Sequence, residues 1–214
     1  MKKTILIISL FIGFLSFGQD TELEEKTSSQ KESKVRLSPF FSYDFTKSES
    51  LPIFLPSIYN NKTNPEFNYR LGIDVEYKFS NNFSISSGIN YSNKDFYLES
   101  LDEKFIFEIR YLEFPLMVIY TYEVNDFEFF GQLGLTNQFS FNFNFLSNEN
   151  DLFIGKINNY TLSGKIGIGA SYPILGKHRL FLATDYTTGF TDVFENVDYK
   201  INSLGIRMGV QFLL

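Results

Sequence analysis

Residues 67 to 79 read FNYRLGIDVEYKF and alternate apolar and polar side chains without a break. In an extended chain Phe67, Tyr69, Leu71, Ile73, Val75, Tyr77 and Phe79 share one face, and Asn68, Arg70, Gly72, Asp74, Glu76 and Lys78 share the other. A helix turns about 100° per residue and would scatter both sets round its circumference. The segment is therefore expected to be a strand standing between two unlike environments.

The same period of two, followed from Val35 onward, predicts strands at roughly 35–46, 67–79, 83–93, 106–122, 127–141, 160–172, 179–190 and 203–214. The connections alternate in length. Short ones fall at Ser80 to Asn82, Glu123 to Asp126 and Pro173 to His178, and long ones at 47–66, 94–105, 142–159 and 191–202. About 9 to 11 tilted residues cross the hydrocarbon of a bilayer, and outer-membrane barrels carry short periplasmic turns and longer external loops. The expected fold is all-β: an eight-stranded antiparallel up-and-down transmembrane β-barrel of the outer-membrane type, over residues 35–214. An even strand count leaves both chain ends on the periplasmic side.

Soluble barrels alternate too, so the environment of each face has to be argued separately. The polar face is small and hydrophilic, as in Ser84, Ser86, Gly88, Asn90 and Ser92, or Thr161, Ser163, Lys165, Gly167, Gly169 and Ser171. The chain has 26 Phe and 13 Tyr, more than an eight-stranded interior holds. Lipid is the expected partner of the apolar face. Aromatic residues also gather at strand ends: Tyr77, Phe79, Phe83, Tyr120, Tyr122, Phe127 and Tyr172 by the short turns, and Tyr43, Phe67, Tyr91, Phe139, Tyr160 and Phe190 by the long loops. Two interfacial girdles have that distribution.

Residues 1–18, MKKTILIISLFIGFLSFG, place Lys2 and Lys3 before an apolar stretch from Ile5 to Phe17, with Ser16 and Gly18 at the −3 and −1 positions of a cleavage site. This predicts a cleaved secretory signal peptide, since the stretch is too short to span a bilayer as a helix. Residues 19–34, QDTELEEKTSSQKESK, lack aromatic residues and are expected to form a flexible periplasmic lead-in. Without the signal the chain keeps 17 basic against 25 acidic residues. Nucleic acid, which calls for a basic stripe, is not an expected partner. With no cysteine there is neither a disulfide framework nor a thiolate site.

Residues 207–214, RMGVQFLL, place Gly209, Phe212 and Leu214 in the pattern by which the barrel-assembly machinery recognises its clients during biogenesis. On the expected inner faces Arg36, Arg70, Lys78, Lys165 and Arg207 share a narrow lumen with Asp44, Asp74, Glu76, Glu113, Glu128 and Asp185. Eight strands leave little more room than their own side chains fill, so these charges are expected to pair and plug the barrel. Glu113 or Glu128 is the expected partner of Arg70, Lys165 or Arg207.

Residues 111–120, YLEFPLMVIY, and 185–192, DYTTGFTD, resemble segments of the PorT-like outer-membrane β-barrel proteins, and the likeness extends over roughly 35–214. The resemblance implies an outer-membrane barrel and no particular activity. One member of that family gives it its name through type IX secretion, and nothing in these motifs singles this chain out for that role.

No constellation of nucleophile, base and orienting acid emerges. His178, the single histidine, is expected in a periplasmic turn between Lys177 and Arg179, away from where an outer-membrane hydrolase would use it. Omptin-type proteolysis needs ten strands and a suitably placed histidine. The loop acids Glu49, Glu66, Asp95, Glu99, Asp102, Glu103, Glu149, Asp151, Glu195 and Asp198 show no calcium-loop spacing. Neither cofactor nor metal is expected. Residues 47–66, with Pro52, Pro56 and Pro65, present Phe54 and Tyr59 as candidate loop contacts for an envelope protein partner. The expected role is a structural or interaction barrel, with a narrow porin-like channel as the alternative and an enzyme behind both.

Overall fold

The computed structural model describes residues 34–48, 62–65, 68–100, 103–146, 156–175, 178–195 and 199–214. Phe54, Tyr59 and Phe67 lie outside them, as do the expected signal peptide and nearly all of the lead-in.

Nine strands follow one another among the described residues: β1 Val35–Ser48, β2 Lys62–Pro65, β3 Asn68–Lys78, β4 Phe83–Ser100, β5 Glu103–Val124, β6 Phe127–Leu146, β7 Tyr160–Leu175, β8 His178–Gly189 and β9 Ile201–Leu213. All but β2 form an antiparallel meander that closes when β9 pairs with β1 and β4 with β5. The short strand β2 lies outside this circle, paired with the outer end of β4 from Lys62↔Glu99 to Pro65↔Phe96.

Closure fixes the tilt. Stepping sideways from Arg36 through Glu76, Ser86, Met117, Gly134, Lys165, Thr187 and Ser203 returns to β1 at Thr46, ten residues beyond the start. With a rise of about 3.3 Å per residue and strands about 4.8 Å apart, that stagger corresponds to a tilt of about 40°.

The expected short turns at Ser80 to Asn82 and Glu123 to Asp126 are present, and residues 176 and 177 of the third lie outside the described ones. Val124 pairs with Phe127 across Asn125 and Asp126, and Asn125 takes φ 54°, a left-handed conformation that asparagine tolerates. Between β3 and β4 the Phe83 amide donates to Ser80 Oγ at 3.0 Å, closing the bend at Ser80 to Asn82.

The expected long loops are partly strand, and this corrects the boundaries at 94–105 and 142–159. β4 runs on to Ser100, β5 starts at Glu103, and β6 continues to Leu146. Each outer segment keeps a hydrogen-bonded neighbour, for example Phe96↔Phe107 and Ile109↔Phe143, so pairing outlasts the need to cross a membrane. A bulge between Arg110 and Tyr111 marks where β6 leaves β7 behind.

Apolar side chains cover the outside. Ile73, Ile89, Leu133, Ile168 and Leu182 are each at least half exposed. Tyr77, Phe79, Phe83, Tyr120, Tyr122, Phe127 and Tyr172 ring the short-turn end, while Phe139, Tyr160 and Phe190 stand exposed toward the other. The Phe190 ring lies over Gly164, whose missing side chain leaves it room. No helix among the described residues is long and apolar enough to cross a membrane, which says nothing of strands.

Candidate functional site

Among the described residues the lumen is where polar and charged side chains from the eight barrel strands converge, and the strand register stacks its contents in layers. At the short-turn end the Arg36 guanidinium on β1 grips Glu128 on β6 with both terminal nitrogens, one of them at 2.8 Å. Glu76 stands 3.9 Å from Arg36 and accepts a hydrogen bond from Ser84 at 2.6 Å.

Above this pair lies an apolar layer of Phe40, Met117, Ile119, Phe130, Phe181 and Ala183. The sequence shows the polar face of 106–122 interrupted at Met117 and Ile119, and the structure makes that interruption part of a full layer. Met117 and Ile119 interrupt the polar alternation of β5 because they pack on the inward phenylalanines of β1, β6 and β8. Gly209 makes the space: a Cβ there would come within 2.7 Å of the Phe181 ring.

Next comes the main ion-pair layer. Arg70 donates to Asp185 at 2.8 Å and to Asp44 at 3.4 Å, and lies 3.8 Å from Glu113. Arg207 donates to Asp74 at 2.8 Å and to the Gln132 amide oxygen at 2.9 Å, and Lys165 sits 3.3 Å from Asp185. Lys94 lies 3.3 Å from Glu113, which also accepts from Ser92 and Gln138, each at 2.8 Å. Four cations, Arg70, Lys94, Lys165 and Arg207, thus face four anions, Asp44, Asp74, Glu113 and Asp185. Phe40 joins this layer to the apolar one, with the guanidinium of Arg207 5.0 Å and that of Arg70 5.9 Å from its ring centroid.

An aromatic cork packs at the long-hairpin end. Phe96, Phe107, Ile109 and Tyr111 from β4 and β5 pack with Val193, Phe194, Tyr199 and Ile201 from the segment between β8 and β9 and the start of β9. Phe96 and Phe107 stack with ring centroids 4.8 Å apart, and Tyr199 lies 5.4 Å from both Phe96 and Phe194. Backbone bonds hold the cork down: the Asn158 amide donates to the Val193 carbonyl and the Glu195 amide to the Lys156 carbonyl, each at 2.7 Å. Between the lower pair and the main ion layer is a cavity of about 30 Å³, lined by Ser38, Ser86, Thr121, Gln132 and Gln211 among others. A space of that size has room for a water molecule.

A sequence profile described as an outer membrane protein beta-barrel domain matches residues 17–195. The chain belongs to this outer-membrane β-barrel family. Its structure is similar to the outer membrane protein OprG from Pseudomonas aeruginosa, with a TM-score of 0.59 and 17% identity over 86% of this chain and 98% of that one. It is also similar to the outer membrane protein AlkL, solved by solid-state NMR in DMPC lipid bilayers, with a TM-score of 0.52 and 14% identity over 92% and 97% of the two chains. At such identities the likeness concerns the fold. No curated protein matches the sequence.

In this outer-membrane barrel Arg36, Arg70, Asp74, Glu76, Glu113, Glu128, Lys165, Asp185 and Arg207 all point inward and are buried. Their partners differ in part from expectation. Glu113 does lie beside Arg70, but Glu128 is taken by Arg36, and Arg207 chooses Asp74. Lys78 stands nearer the rim than expected, 3.8 Å from Glu123. Sequence reasoning missed Lys94 by ending the strand at Asn93, although Ser84, Ser86, Asn90 and Ser92 set an even-numbered inward parity that Lys94 continues. Asp95, expected as a loop acid, pairs with Arg110 on the outer surface.

Of the residues expected to form an assembly signal, Gly209 packs against Phe40 and Phe181, Phe212 meets the His178 ring at 5.0 Å, and Leu214 is exposed. No group of three or more histidines or acids among the described residues is arranged to hold a metal ion.

Proposed function

We propose that this barrel is a closed component of the outer membrane, structural or interactive in role, which meets an envelope protein partner through its external side and passes no solute through its lumen. The observation that carries this reading is the stack of seals: the Arg36–Glu128 pair, the Phe40 layer, the eight-charge layer and the aromatic cork. A solute would have to displace all of them, including charges whose removal from their partners is costly. Planar-bilayer recording of the purified folded chain tests it. A quiet membrane is the expected result, and a stable single-channel current would defeat the proposal.

The same reading takes residues 1–18 as a cleaved export signal, Gly209, Phe212 and Leu214 as the assembly signal, and lipid as the partner of the outer face. It takes the chain as a PorT-like member of the family on the strength of YLEFPLMVIY, which falls on β5, and DYTTGFTD, which begins in β8. No enzymatic activity is part of it. His178 rests on Phe212, and Ser171 nearby accepts a hydrogen bond from Arg179 at 2.8 Å.

A further inference from the structure

Among the described residues, two of the eight seams of the barrel wall lack rungs in mid-span. Between β1 and β9 the pairing passes from Leu37↔Phe212 to Phe40↔Gly209, and between β4 and β5 from Ser87↔Leu116 to Asn90↔Glu113, with no change of register. The other six ladders run without a gap, apart from a bulge at Arg110/Tyr111 and a shift at Pro173/Leu175 near strand ends. A proline lies in each gap. The Leu214 amide donates to the Val35 carbonyl, so the odd-numbered residues of β1, Pro39 among them, turn their backbone groups toward β9. The Thr121 amide donates to the Asn82 carbonyl, so the odd-numbered residues of β5, Pro115 among them, turn theirs toward β4. Each proline therefore leaves its own seam one N–H short, in a medium where no water makes up the loss. At the β4–β5 gap Ser87 Oγ donates to the Pro115 carbonyl at 2.9 Å, which satisfies that acceptor and adds no rung. At the β1–β9 gap Ser38 and Gln211, opposite each other and unpaired, both line the 30 Å³ cavity, and Gln211 Oε1 has no hydrogen-bond partner.

The two gaps divide the wall into a piece of three strands, β1, β3 and β4, and a piece of five, β5 to β9. The shortest ion pairs of the lumen cross from one piece to the other. Arg36 on β1 holds Glu128 on β6, while Arg70 on β3 meets Asp185 on β8, and Asp74 on β3 meets Arg207 on β9, both at 2.8 Å. Lys94 on β4 and Arg70 cross as well to Glu113 on β5, at 3.3 and 3.8 Å. Lumen pairs that stay within one piece are longer than the first three, from 3.3 Å for Lys165–Asp185 to 3.9 Å for Arg36–Glu76. We propose that this wall is built to part along the Pro39 and Pro115 seams, and that the cross-lumen ion pairs are the clamp that keeps the two pieces together. At these seams charge does what backbone hydrogen bonds do at the other six. Each piece stays a sheet when the wall parts, so the barrel reaches a wider state without unfolding. Parting has to separate buried opposite charges, which keeps the clamped state dominant until a competing charge relieves them.

Hydrogen-exchange mass spectrometry of the full folded chain in phosphatidylethanolamine nanodiscs tests the clamp. In the parent, amides beside the gaps, in 37–41, 87–90, 113–117 and 208–212, should exchange faster than those of the unbroken β6–β7 seam in 131–135 and 164–168. Glu113→Gln together with Asp185→Asn should raise exchange at the two gaps on the order of tenfold and leave the β6–β7 seam as it was. Pro39→Val together with Pro115→Val, which returns an N–H to each seam with every charge in place, should slow the gaps to the rate of the unbroken seam. Exchange at the gaps of the parent no faster than along β6–β7 would overturn the proposal. A rise spread evenly round the wall in the charge variant would do so too, since it would mean general loosening. Should the charge variant fail to fold, the parent and the proline variant still decide, because the gaps must be fast with proline and slow without it. Exchange reads the wall and conductance reads the lumen, so the clamp and the closed-barrel reading fail separately.

Discussion

Arg70 on β3 and Asp185 on β8 are 115 residues apart in the chain and meet across the lumen at 2.8 Å. Two strands, β1 and β9, separate them in the wall, so this bond ties the barrel across its width. Asp185 also neighbours Lys165 and Arg207, at 3.3 and 3.7 Å. Replacing Asp185 by Ala should leave three cations short of an anion and cost roughly 3 to 5 kcal/mol. The midpoint of heat-modifiable gel migration should fall sharply. The double variant R70M/D185A should recover part of the loss, and simple additivity of the two effects would count against direct coupling.

Arg207 is held by more than charge. Its fork reaches Asp74 and Gln132 together, and its plane lies 5.0 and 5.4 Å from the ring centroids of Phe40 and Phe181. Lysine keeps the charge and loses the fork and the flat face. Arg207→Lys should therefore destabilise the barrel by about 1 to 3 kcal/mol relative to the parent in urea titrations followed by circular dichroism. A fully neutral Arg207→Lys would show that position to need only a point charge.

Two glycines make opposite predictions. A Cβ at Gly205 would come within 2.5 Å of Asp44 Oδ1 and 3.1 Å of Arg70 Nη2, inside the most crowded part of the ion layer. Gly205→Ala should cost about 1 to 3 kcal/mol through overpacking, whereas Gly131→Ala, with open space around the added methyl, should be close to neutral. Measuring both in the same detergent compares a filled place with an open one.

The seals act in series. Removing the cork by Phe194→Ala together with Tyr199→Ala should leave the membrane quiet in planar-bilayer recording, since the eight-charge layer and the Phe40 layer remain beneath it. A steady current from this variant would place the whole barrier at the external mouth.

Ile166 is more than half exposed in the middle of the aliphatic band. Ile166→Arg should cost about 2 to 4 kcal/mol in a bilayer, as a cation at the lipid midplane does. On a water-facing surface the same change would be neutral, so folding yield into vesicles distinguishes the two surroundings.

Much of this arrangement is legible in the sequence because alternation has a period of two and tells inside from outside at every residue. Residues 67–79 alone assign Arg70, Asp74 and Glu76 to the lumen. Partner identity is harder to read, because it depends on register summed round the barrel. The stagger of ten residues brings Arg36 level with Glu128 rather than with a residue at the same distance from its own turn. The apolar layer was hidden for another reason. Phe40, Phe130 and Phe181 have the right parity to face inward, yet a phenylalanine in a sequence so rich in them reads first as lipid-facing. The long hairpins were obscured by charge: Lys94 and Asp95 look like loop residues, and only the structure reveals that they answer Glu113 and Arg110 on the next strand.

β4, β5 and β6 are 18, 22 and 20 residues long, against 12 and 13 for β8 and β9. Among the described residues the rim at the long-hairpin end is therefore a parapet on one side and a low sill on the other. Whatever approaches from outside finds a front and a back. A binding partner would be held in one compass direction about the barrel axis, and a neighbour sliding in the membrane plane would be admitted from the low side and turned away by the high one.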